Sequence, residues 1–155
     1  MNDEIKSERS YVLWLLSVKE YSRPQLEKKL GARGLSRSEI SALLDDLKAE
    51  GIFRETAYQK ARTRQLLKKG LGASLVKSRL RAEKCPIDNE DINAAYEEIG
   101  SDSKSQLRAL IQKLLRRFER SKTVAPKDIA QKITRSLQSK GHSYSEITAL
   151  LKEER

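Results

Sequence analysis

Basic side chains at helical spacing are the residues of this sequence best suited to chemistry, and that chemistry is anion binding. Lys60, Arg62, Arg64, Lys68 and Lys69 run up to a turn marked by Gly70 and Gly72, and Lys77, Arg79, Arg81 and Lys84 follow it. Lys60, Arg64 and Lys68 are four residues apart, so one helix would carry them on one face. Lys77, Arg81 and Lys84 would share a face in the same way. Arg116 and Arg117 add two cations on a later helix, off its apolar stripe. A stripe this dense suits phosphates or an acidic protein groove.

Groups that could break or make bonds are scarce. The chain has one cysteine, Cys85, and one histidine, His142. One thiol makes neither an internal disulfide nor a zinc site. Cys85 precedes Pro86 and reads as a partly buried structural thiol, with no histidine partner evident to make it a nucleophile. His142 follows Gly141 in a turn and reads as a polar surface residue. The acidic pairs Asp45–Asp46 and Glu97–Glu98 are adjacent, and adjacent helical residues point about 100° apart, which is poor geometry for shared acid–base work. No glycine-rich phosphate loop is present, so ATP hydrolysis by this chain has no support. The expectation is a binding protein, not an enzyme, without metal or cofactor.

These cations must be positioned by helices. Of 155 residues, 35% are charged and only 5% aromatic, a thin supply for one deep core. The net charge of +10 favours polyanionic partners. No sustained alternation of β-branched residues suggests strands. The N-terminal ten residues are polar and charged, unlike a secretory leader, and the longest apolar run, 12–16, is far short of a membrane span. Cytoplasmic residence is the simple expectation. The periodicity predicts nine helices, at about 8–19, 23–32, 37–50, 55–69, 73–84, 89–99, 103–120, 126–139 and 144–153. Ser36 with Glu39, Ser143 with Glu146 and Ser22 with Gln25 have the spacing of capping boxes.

An internal repeat organises the whole. A shift of 107 residues carries Leu26, Leu30, Gly34, Ser36, Glu39, Ile40, Leu43 and Leu44 onto Ile133, Leu137, Gly141, Ser143, Glu146, Ile147, Leu150 and Leu151. Apolar positions, the glycine ending one helix and the cap starting the next all coincide. A looser middle copy uses Val76, Leu80, Ile92 and Tyr96. The expected fold is all-α: a tandem repeat of three three-helix modules, 8–53, 54–100 and 103–153, elongated and curved, because small stacked modules bury modest cores and lean on their neighbours.

The ordered motifs on this repeat resemble the RecX family from about Tyr11 to Lys152. The segment 21–30, with Tyr21, Ser22, Leu26, Lys29 and Leu30, is similar to the family's "R-x-Y/H-S-x-x-E-L-x-x-K-L". Gly51, Ile52 and Phe53 look like its "G-Y-L", and Lys69, Gly70, Leu71 and Gly72, with Val76 and Leu80, resemble "K-G-Y-G-P-x-R-I-x-x-E-L". Departures fall where the family has an acidic pair and Phe-Ala (here Arg54, Glu55, Ala57 and Tyr58), at the proline and arginine of "G-P-x-R-I" (Ala73 and Leu75), and at a helix-ending glycine aligned with Cys85.

The resemblance implies an all-α regulator without cofactor or metal. It implies binding in the groove of the RecA recombinase filament, limiting filament extension, strand exchange, ATP hydrolysis and repressor cleavage in DNA repair, recombination and the SOS response. It leaves direct contact with single-stranded DNA open; the expected state is a monomer. Two other classes stand beside it. A helix-turn-helix DNA-binding protein acting without RecA would need a base-reading helix in each module. Helix 37–50 argues against that, because it exposes Glu39, Asp45, Asp46 and Glu50. A membrane-surface protein would use the basic, amphipathic helix 103–120, but its stripe of Leu107, Leu110, Ile111, Leu114, Leu115 and Phe118 is needed for a core.

Overall fold

The computed structural model describes residues 3–154, the first three by their backbone only. All regular structure among these residues is helical. The helices are α1 (Asp3–Val18), α2 (Arg23–Ala32), α3 (Arg37–Ala49), α4 (Glu55–Lys68), α5 (Ala73–Ala82), α6 (Asn89–Glu98), α7 (Ser103–Ser121), α8 (Ile129–Ser139) and α9 (Tyr144–Glu154), with a 3-10 turn at Pro126–Asp128. No described helix is long and apolar enough to cross a membrane.

Local chemistry sets the helix starts. Ser22 accepts from the Gln25 amide while the Gln25 side chain accepts from the Ser22 amide, and Ser36 and Glu39 repeat the arrangement. Asp88 and Asp91 form a third such box at α6, which the serine-based reading passed over. Each box satisfies two amides that the first turn leaves without helical partners. At α9 only one half is made: the Glu146 amide donates to Ser143 Oγ at 3.2 Å. Three expected boundaries shift by two residues or more. α1 begins at Asp3 instead of residue 8, α5 ends at Ala82 instead of residue 84, and 126–128 wind as a 3-10 turn before α8. Pro126 accounts for the last shift, since its ring suits a helical first turn but supplies no amide.

Apolar side chains collect in three clusters. Val12, Leu15, Leu26, Leu30, Leu44, Leu47 and Phe53 belong to the first, drawn from α1 to α3 and the chain after them. Leu66, Leu67, Val76, Leu80, Ile92 and Tyr96 belong to the second, from α4 to α6. Leu107, Ile111, Leu115, Ile133, Leu137, Ile147 and Leu150 belong to the third, from α7 to α9. The positions related by the sequence repeat, Leu26 and Leu30, Val76 and Leu80, Ile133 and Leu137, are all wholly buried. Cutting one such leucine back to alanine costs about 2–5 kcal/mol; Val76 and Leu80 anchor α5, which carries cations, and Ile133 and Leu137 belong to the cluster that α7 packs on.

Candidate anion-binding surface

The structure divides the expected basic residues into two groups. Lys60, Lys68, Lys69, Arg79, Arg81, Lys84, Arg116 and Arg117 are exposed, and none takes part in a described ion pair. Arg62, Arg64 and Lys77 are half-buried and engaged within the chain. Arg62 Nε donates to Glu83 at 3.1 Å, and Glu83 also accepts from the buried Tyr58 hydroxyl. Arg64 donates to Glu98 at 2.5 Å, tying α4 to α6. Lys77 Nζ donates to Asn89 Oδ1 at 2.6 Å. The same-face trio Lys60, Arg64 and Lys68 is therefore interrupted at its centre.

Lys84 departs from its expected place. It lies beyond α5 with a left-handed backbone, φ 63°. The corresponding residues are Gly34, φ 95°, and Gly141, φ 94°. The helix-ending glycine of the pattern is thus replaced by Lys84, not by Cys85. Its ammonium cannot continue the helical stripe, because the chain has already turned.

On α7, Arg116 and Arg117 do come together with further cations. Lys113, Arg116, Arg117 and Arg120 line one shallow hollow with Ser121. Lys113 was missed, although its place one turn before Arg116 and Arg117 was readable from the spacing. Arg108, nearer the helix start, is instead bound to Glu153 and Glu154.

The two lone reactive groups resolve differently. Cys85 is buried, and that burial, with Glu83 nearby, pushes its thiol above the usual range. A thiol so placed is a poor nucleophile. Tyr58 is also pushed up, first by burial and then by its bond to Glu83. His142 corrects its expected surface role. It is buried, and its Nε2 stands 2.9 Å from the carbonyl oxygen of Gly70, 72 residues away. A carbonyl only accepts, so Nε2 carries the proton. Close by, the Gly72 amide donates to the Lys140 carbonyl at 2.7 Å. The turn between α4 and α5 is thereby bound to the turn between α8 and α9. A sequence pattern could not show this contact, because both turns look solvent-facing in isolation. No group of three or more metal-ligating side chains gathers among the described residues.

Comparison with known proteins follows the fold. No known family profile matches the chain. It is 30% identical to the regulatory protein RecX of Pseudomonas fluorescens Pf-5, over 96% of this chain and 92% of that one. It is 32% identical to the regulatory protein RecX of Xanthomonas axonopodis, over 77% of this chain and 69% of that one. Among solved structures it is similar to RecX from Lactobacillus salivarius, with a TM-score of 0.75 at 23% identity over 99% of this chain and 97% of that one. A second solved regulatory protein RecX gives 0.76 at 21% identity, over 97% of this chain and 72% of that one. Those two likenesses speak for the fold, and the sequence relatives speak for the family.

Proposed function

The chain belongs to the RecX family of regulatory proteins, and from that premise we propose that it regulates the RecA recombinase by binding its filament on single-stranded DNA. It acts by occupying the filament groove, without cofactor or metal. Binding limits filament extension and, with it, strand exchange and ATP hydrolysis in DNA repair and the SOS response. The observation that carries the reading is the set of eight exposed cations outside any described ion pair on α4, α5, the turns after them and α7. Burying an unpaired cation against an anionic surface releases counterions at no cost in broken internal pairs. Arg62, Arg64 and Lys77 then serve to hold α4, α5 and α6 in place.

Three three-helix modules, 8–53, 54–100 and 103–153, are the architecture we propose for presenting these cations. Three things support it. Each apolar cluster draws on three consecutive helices. The strongest helix contacts fall within those groups: α2 with α3, α4 with α5 and α6, α7 with α8 and α9. The accessible surface is 9921 Å², against about 8,000 Å² for a compact monomer of this size. The excess fits an elongated array with one long face for a partner.

The test is the DNA-dependent ATPase of the cognate RecA, titrated with wild-type protein and with Lys68→Glu/Lys69→Glu/Arg81→Glu. Wild type should lower the rate at sub-stoichiometric amounts, and the triple variant should need at least about ten times more protein, as expected from losing several phosphate or carboxylate contacts. An unchanged rate at excess, with tight binding to DNA alone, would replace this reading with a helix-turn-helix DNA-binding protein. Against that alternative, Glu39, Asp45, Asp46 and Glu50 all stand exposed on or next to α3.

A further inference from the structure

The outer face of α8 and α9 is an open groove of 570 Å³ lined by Gln131, Thr134, Arg135 and Tyr144 over Ala130 and Leu151. Tyr144 is 61% exposed there, an aromatic ring left in water. The repeat explains what this groove is. A shift of 107 residues carries Gln131, Thr134, Arg135 and Gln138 onto Pro24, Glu27, Lys28 and Gly31. Those four line a cleft between α2 and α3, and Lys84, from the turn after α5, lines it with them. The next joint is built on similar lines and is tighter. Gly141, the counterpart of Lys84, lies against Gly72 and Leu75 at the start of α5.

So in both joints the left-handed turn of one module sits against the second helix of the module before it. Two ends of this pattern remain open among the described residues. One is the α8–α9 groove, which receives no turn. The other is the turn at Gly34, where an added Cβ would find no atom within 4 Å. Building on the three-module reading, we propose that the α8–α9 groove receives the Gly34 turn of a second copy of the chain, so that copies join head to tail.

The joint is heterologous and does not close on itself, so it yields an open row and not a symmetric dimer. Its strength follows from tethering. Within a chain the linker supplies an effective concentration in the millimolar range. Between chains that help is gone, and two molecules of charge +10 repel. Isolated copies therefore stay apart in dilute solution, and the joint forms where screening salt at high protein concentration, or an anionic lattice, offsets the repulsion and sets copies side by side. Basic residues at the joint do not forbid it, since Lys84 already shares its cleft with Lys28 and Arg37.

Cross-linking with a short bismaleimide tests the joint without RecA or DNA. Two chains, both Cys85→Ser, carry either Gly34→Cys or Gln131→Cys, one of them tagged, and are mixed at high concentration and moderate salt. Gly34→Cys carries backbone strain at φ 95°, of the kind Lys84 already bears at φ 63°, and its added Cβ meets no atom within 4 Å. The mixed product should exceed the two same-site products several-fold, and Gln138→Trp in the acceptor, which puts a large ring where the occupied cleft has Gly31, should remove the excess. A third chain, Pro24→Cys/Lys84→Cys/Cys85→Ser, should close within itself. If it closes while the two-chain products form at random, head-to-tail docking is overturned and the three-module reading stands. If it fails to close, the equivalence of the turns fails, and the docking proposal falls with it.

Discussion

At the scale of single residues, the backbone at Lys84 makes the clearest demand. A left-handed turn costs an L-residue with a Cβ about 1–2 kcal/mol, and Gly34 and Gly141 avoid that cost at the matching positions. Lys84→Gly should therefore stabilise the protein by about 0.5–1 kcal/mol, after glycine's own loss of chain entropy is counted, as read by urea unfolding. The same substitution removes an exposed cation. Cys85, by contrast, follows its sequence expectation of a structural thiol: it is buried and packed with Tyr58, Leu80 and Tyr96. His142 did not follow its own. Its type and turn position suggest solvent, yet its Nε2–H is spent on the Gly70 carbonyl.

At the scale of elements, the contact between the α4–α5 turn and the α8–α9 turn is the most constrained feature. Gly72 has an ordinary extended backbone, φ −80°, so its lack of a side chain is required by space and not by conformation. A Cβ there would come within 2.7 Å of the His142 nitrogen and nearer still to the Gly141 carbonyl. Those are backbone atoms and cannot swing aside. Gly72→Ala should destabilise by about 1–3 kcal/mol, the range for overpacking a close contact. It should also raise hydrogen exchange at the Gly72 amide, which now donates to Lys140. Unchanged stability and exchange would mean that the two turns separate readily in solution. Leu75, which stands where the family pattern has arginine, packs its Cβ against Gly141 at this same contact.

At the scale of the whole molecule, charge governs association. With +10 net and the free cations spread over α4, α5 and α7, binding to an anionic filament should weaken by at least roughly 100-fold between about 50 and 200 mM salt. Fluorescence anisotropy on labelled filaments reads this directly. A salt-insensitive affinity would transfer the main role to apolar contacts such as the exposed Trp14 and Val18 of α1.

Much of this molecule is written in local chemistry that needs no partner from elsewhere in the chain. Apolar spacing of three and four fixes which faces of α2, α5 and α8 are buried, because an amphipathic helix has one low-energy way to meet a core. Ser22 and Ser36 fix where helices start, because a cap reaches only two or three residues. Basic spacing marks α4, α5 and α7 as cation carriers for the same reason. Tertiary structure decided the rest, where the deciding partner is remote in sequence. Glu83 and Glu98 claim Arg62 and Arg64 across 21 and 34 residues, so the dense stripe read from spacing becomes a sparser set of free charges. Gly70 claims His142 across 72. Pairing over such separations depends on how packed helices bring their ends together, and no periodicity within one helix carries that information.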